Sequence, residues 1–221
     1  ENNINFDLLI SIEGGYEQIN DYYFIDKIYS IYDKKRFYIL GPDIYCPRTF
    51  AHQNPMRKTI RGIDEIDDII DQCNYIINKK FFLKEYFTNW FLNSSLYYYY
   101  VRLFRPYLKK SLYSMDKSQP MDYPLLHGAC LIFSKLYICQ NFKLFMPETR
   151  FYAEEDLLCY RCKKNDWRIC YDPGLSIIHY DGKATKATYN SIEVYYKNKF
   201  KLMKESFTIY KKYLEGIEIN E

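Results

Sequence analysis

Two short apolar runs flank an amphipathic stretch near the start of the chain. That alternation constrains the fold more than any other feature. Residues 5–12 (NFDLLISI) read as a buried strand ended by Gly14-Gly15. Residues 22–32 place Ile25, Ile28, Tyr29 and Tyr32 on one helical face. Residues 37–40 read as a second short strand, closed by Gly41-Pro42. Strand–helix–strand order predicts α/β packing.

Further along, residues 46–62 hold Pro47 and Pro55 with little periodicity and read as an irregular loop. Residues 63–104 sustain a helical pattern. Asp64, Asp67, Asp68 and Asp71 line one face, and Ile66, Ile69, Ile70 and Cys73 the other. Pro106 ends or kinks it, and residues 109–123 read as a polar loop. Residues 127–137 (HGACLIFSKLY) form an apolar strand. Residues 154–164 form a helix with acids first and bases last, an order that complements the helix dipole. Residues 167–171 and 176–180 read as strands joined by an Asp172-Pro173-Gly174 turn. Residues 191–214 form a long basic amphipathic helix.

Composition narrows the class. A chain of 221 residues fits one domain, or one with an appendage. With 48% hydrophobic and 27% charged residues, wholesale disorder is excluded. A net charge of +3 is too balanced to indicate a nucleic-acid partner. The seven cysteines are odd in number and irregularly spaced, which predicts free thiols in a reducing cytoplasm. Cys159 and Cys162 form a CxxC with no second pair to complete a zinc site, so core packing is the expectation. The most apolar stretch, residues 87–104, contains Asn89, Asn93 and Arg102 and is too short and polar to span a bilayer.

Several constellations could carry chemistry. Glu154-Glu155-Asp156 opens a helix. Adjacent carboxylates repel, and one held so could act as a general base towards a hydroxyl; equally, acids simply favour a first turn. His179 ends a short apolar strand, where a neutral imidazole could bind a metal or phosphate, or be satisfied by backbone. His127, before Gly128-Ala129, has the same two readings. His52-Gln53-Asn54-Pro55 could hold sugar hydroxyls or shape a turn. The final helix interleaves lysines with Tyr195, Tyr196, Phe200, Phe207, Tyr210 and Tyr213. It could lie on an anionic membrane, with residues 97–100 and Arg102 as a second signal, or pack on the core.

The order HGACLIFSKLYI, then FMPETRFYAEEDLLCYRCKKNDWRICYDPGLSIIHYDGKAT, resembles the C-terminal half of bacterial family 2 glycosyltransferases of the GT-A fold. It is most similar to the branch that builds capsular and other surface polysaccharides. Upstream, ILGPDIYCP and HQNPM also look like that branch. The resemblance implies a mixed α/β sheet flanked by helices, with a helical insertion and a long C-terminal helix. It treats residues 1–221 as a single partial domain: core strands and loop over 1–62, insertion over 63–115, catalytic and acceptor region over 127–182, and C-terminal helix over 183–221.

The implied reaction is inverting transfer of a sugar from a nucleotide-sugar donor to a hydroxyl of a saccharide or lipid-linked acceptor. Asp156, or its neighbour Glu155, falls at the family's catalytic base. His179 falls near the donor diphosphate. His127, Gly128, Ala129 and Glu154 fall on the acceptor side. A divalent metal, Mg or Mn, is the implied cofactor. The family's Asp-x-Asp motif is not present; only Glu13, in LISIEGG, could stand in for the metal-binding acid, with His179. The family's N-terminal nucleotide-binding region has no counterpart here, so the expectation is an N-terminally truncated transferase, with a partner chain supplying the missing strands. Its place would be cytoplasmic, or peripheral at the inner face of the plasma membrane. The alternative is a degenerate, non-catalytic module that binds glycans or scaffolds.

Overall fold

The computed structural model describes residues 7–12, 17–19, 21–94, 96–97, 99–103, 115–140, 143–146, 149, 151–180 and 191–217. Two compact units emerge. The first joins Glu1–Ile60, Met115–Leu144 and Leu158–Asp181; the second joins Arg61–Ser114, Phe145–Leu157 and Gly182–Glu221. The boundary falls inside one helix, Glu154–Lys164.

The first unit is a mixed α/β layer. Among the described residues its strands are β1 (Leu8–Ile12), β2 (Glu17–Gln18), β3 (Ile39–Cys46), β4 (Ala51–His52), β5 (Met121–Asp122), β6 (Cys130–Ser134) and β7 (Ile169–His179). The order is β1-β6-β3-β7-β2, with β4 beside β3 and β5 beside β7. β3 and β7 are parallel, and β6 runs antiparallel to both β1 and β3. β1, β3 and β7 therefore share one direction. Helix α1 (Phe24–Lys35) covers one face, seating Phe24 and Ile28 on Leu40, Ile44, Ile132 and Ile177. Each such buried side chain contributes about 1.5–3 kcal/mol. α1 stops where Arg36 turns left-handed (φ 49°) and donates its N–H to Tyr32. An aromatic group of Tyr38 stacked on Trp167 at 5.4 Å, with Tyr137 edge-on at 5.6 Å, absorbs part of the tyrosine excess.

Several element boundaries differ from the sequence reading. β3 does not close at Gly41-Pro42 but runs on to Cys46, and 169–179 is one strand with no turn at Asp172-Pro173-Gly174. The reason is one irregularity. Pro42 lies opposite Asp172, and the next pair is Asp43 with Ser176. Proline cannot donate to a ladder, and strands tolerate it at such bulges. Pro42 and Pro173 both fall at this register shift. The apolar run at 127–137 is β6 followed by a short helix, α4 (Lys135–Ile138).

In the second unit, α2 (Ile63–Asn78) packs on the last helix, α6 (Ile192–Leu214). Ile66 and Cys73 are buried on α2; Ser206, Phe207 and Tyr210 are buried on α6. Lys211 Nζ meets Asp67 at 2.5 Å along the same seam. The helical stretch 63–104 is not continuous: Lys79 is extended, and a separate helix, α3 (Leu83–Asn93), follows. At its start the Glu85 carboxylate accepts the Phe82 N–H at 2.9 Å, which is what begins a new helix there. Among the described residues no helix is long and apolar enough to cross a membrane.

Candidate functional site

In the first unit, sequence-distant residues meet at one end of the sheet. Ile12, the last residue of β1, pairs with Cys130, the first of β6. β7 ends at His179 in the same direction as β1 and β3. His127 precedes β6 by three residues, so the topology brings it to the end where β7 finishes. The His127 and His179 rings lie 5.9 Å apart, centroid to centroid. His179 is 6% exposed. Open α/β sheets place ligands outside the carboxyl ends of their parallel strands, which is where this histidine pair sits.

The local sequence fixes His127 closely. Asn54, fully buried, donates Nδ2–H to Pro42 O at 2.6 Å and accepts the His127 N–H at 2.9 Å. It thereby ties β3 to the approach of β6. The Ala129 N–H donates to His127 Nδ1 at 3.1 Å, which puts the proton of the neutral ring on Nε2. Gly41 makes room for this clamp. A Cβ there would stand 2.6 Å from Leu126 Cδ2 and 2.7 Å from Asn54 Nδ2.

A second group in this unit was not singled out from sequence as a cluster. Asp43, 9% exposed, interrupts the apolar run of β3, and alternation turns it away from buried Ile44. His52 donates Nδ1–H to its carboxylate, 2.8 and 2.9 Å from the two oxygens. Lys117 donates Nζ–H to His52 O at 2.8 Å, and Tyr171 donates its hydroxyl to Lys117 O at 2.8 Å. Burial pulls the Lys117 ammonium down from the usual lysine range, and the Asp43 charge opposes that. Burial, then Asp43, pushes the Tyr171 phenol up. The signal available in the sequence was a carboxylate inside ILGPDIYC. The His52–Pro55 loop thus has a definite role in shaping: His52 holds Asp43 and Asn54 holds His127.

The acid cluster lies in the second unit, on the first turn of α5 (Glu154–Lys164). Its entry is held by two consecutive left-handed residues, Tyr152 (φ 69°) and Ala153 (φ 59°). Each such residue costs about 1–3 kcal/mol and persists only where the surroundings fix it. Here Ser206 donates its hydroxyl to Phe151 O at 2.7 Å. The three acids then diverge. Glu154 and Glu155 are partly exposed, while Asp156 is 1% exposed and takes an Arg61 guanidinium N–H. Arg61 also lies over the Phe207 ring at 5.5 Å, and its carbonyl accepts the Tyr210 hydroxyl at 3.1 Å.

Of the expected site residues, His127, Gly128, Ala129 and His179 gather at the sheet end. Glu154, Glu155 and Asp156 belong to the other unit. Glu13 lies outside the described residues. Cys159 and Cys162 are both buried, and burial pushes the Cys162 thiol up. Among the described residues, no group of three or more His, Cys, Asp or Glu is placed to hold a metal ion. Comparison with protein-family models, curated proteins and solved structures finds no match to this chain.

Proposed function

We propose that this chain is an inverting glycosyltransferase, moving a sugar from a nucleotide-sugar to an acceptor hydroxyl in bacterial surface-polysaccharide synthesis, on the cytoplasmic side. The observation that carries the reading is the pairing of His127 and His179 at 5.9 Å. The family resemblance puts one on the acceptor side and the other at the donor diphosphate, and a shared cleft needs them adjacent. In this reading the His179 imidazole meets the charge that develops on the leaving diphosphate. His127 lines the acceptor, its ring fixed by Ala129 and Asn54. The family resemblance names Glu155 or Asp156, which belong to the other unit, as the base for the acceptor proton. The described residues do not furnish a metal cage around His179, so no step is assigned to Mg or Mn.

Isothermal titration with a panel of nucleotide-sugars tests this, with and without Mn²⁺. Saturable heat with one donor, at least tenfold weaker in His179→Ala, is the expected result. Silence across the panel overturns it.

A second reading is favoured by one observation: Asp156 is buried against Arg61, away from a role in proton transfer. A non-catalytic module would bind glycans while leaving nucleotide-sugars unturned. A glycan array with retained saccharides, beside a donor-hydrolysis assay with no product, is the outcome that selects it.

A further inference from the structure

Helix α3 is at odds with its surroundings. Its sequence, LKEYFTNWFLN, puts Leu83, Tyr86, Phe87, Trp90 and Phe91 on one helical face, yet none of its residues with a described side chain is buried. Leu83 is 88% exposed and Trp90 55% exposed, and Phe82, Phe87 and Leu103 are open to solvent as well. Such a stripe normally packs against a core or lies at a membrane surface, and eleven residues alone are marginal as a helix in water. Contiguous exposed apolar surface of this kind marks an interaction site.

The charge around it selects the occupant. Between residues 79 and 103 there are four bases: Lys79, Lys80, Lys84 and Arg102. The same stretch has a single acid, Glu85, and that acid is held by Lys79 at 2.8 Å. The segment therefore carries +3, as much as the whole chain. A second copy docking through the same patch would set like charge against like. Single-stranded nucleic acid would stack on the aromatic rings but gains nothing from exposed Leu83 and Leu103. Aromatic rings with aliphatic neighbours and flanking lysines suit the headgroup boundary of a bilayer.

We propose that α3 and its flanks form a docking surface for an anionic lipid bilayer, with Phe82, Leu83, Phe87 and Trp90 entering the headgroup–acyl boundary. The surface differs from the final helix, whose Phe207 and Tyr210 are buried. It stands on its own observations and not on the transferase reading.

The chain has two tryptophans, and the other, Trp167, is 7% exposed in the first unit. Trp90 is therefore the reporter. Full-length protein is mixed with vesicles of phosphatidylglycerol and phosphatidylcholine, and emission is read beside co-sedimentation. The expected result is a blue shift with pelleting, quenched by brominated acyl chains and reversed by high salt. Trp90→Phe removes the shift and keeps the pelleting. Lys80→Gln with Lys84→Gln binds about 25-fold weaker. Phe82→Ser with Phe87→Ser abolishes binding with an unchanged circular dichroism spectrum. Three outcomes overturn the proposal. One is no shift and no pelleting. Another is equal binding to phosphatidylcholine alone. The third is a lipid-independent blue shift that follows protein concentration with a dimer mass in sedimentation, which assigns the face to a second copy. A polyuridylate arm identifies a nucleic-acid surface if it binds and the vesicles do not. Donor titration is a separate measurement, so either proposal can fail alone.

Discussion

Helix α6 carries Phe207 and Tyr210 into the interior of its unit, whereas α3, also rich in aromatics, leaves Leu83, Phe87 and Trp90 in solvent. Spacing does not separate them. On α6, Phe200, Met203, Phe207, Tyr210 and Leu214 recur every three or four residues and make one stripe. On α3, Leu83, Tyr86, Phe87, Trp90 and Phe91 make a stripe of the same period. What differs is the partner. The α6 stripe packs on α2, whereas Leu83, Phe87 and Trp90 stay in solvent.

The contrast can be broken by measurement. The largest effect belongs to Phe207→Ala, which should cost about 4 kcal/mol in urea unfolding, through the cavity and the lost Arg61 contact. Next comes Asp156→Asn. It leaves Arg61 without its buried counter-charge and should cost about 3 kcal/mol. A cost under about 1 kcal/mol there would mean that Asp156 is not an anchor of this unit, and would strengthen its assignment as the base. Phe87→Ser on α3 should change stability by no more than about 0.5 kcal/mol, while removing lipid binding. A large loss would show that α3 is part of a core after all.

The smallest effect is a pH dependence. Lys79, then the Phe82 N–H, holds the Glu85 carboxyl down to about 2. A lowered acid supports the fold fully above the ordinary carboxylate range and loses that support as pH falls towards its folded value. The first turn of α3 should fray between about pH 4.5 and about pH 2, read from the Phe82 amide resonance. Glu85→Gln should abolish that titration.

Much of the fold was legible because its elements are locally encoded. Glu154–Lys164 and Ile192–Leu214 follow from their charge order and periodicity. β6 follows from an unbroken apolar run. Two of the errors fall at prolines. Gly41-Pro42 and Asp172-Pro173-Gly174 carry the local marks of chain reversal, yet both lie within strands. What overrides the local mark is a pairing between distant segments, invisible to a window of a few residues. The candidate site divides the same way. His127 and His179 could be named individually from sequence, and their adjacency comes from the strand order. Asp43, Lys117 and Tyr171 went unnoticed as a group because the contacts that join them to His52 span 9 to 65 residues.

The long parallel pairing of β3 with β7 also has a consequence for synthesis. Ile39 meets Ile169, about 130 residues later, and the first unit is assembled from three separate stretches of chain. At ribosomal speeds of about 5–20 residues per second, β3 waits roughly 6 to 26 seconds for that partner. Its edge is open to other nascent chains throughout the interval. The yield of folded protein should therefore follow translation rate and holdase chaperones more closely than it follows the stability of the finished molecule.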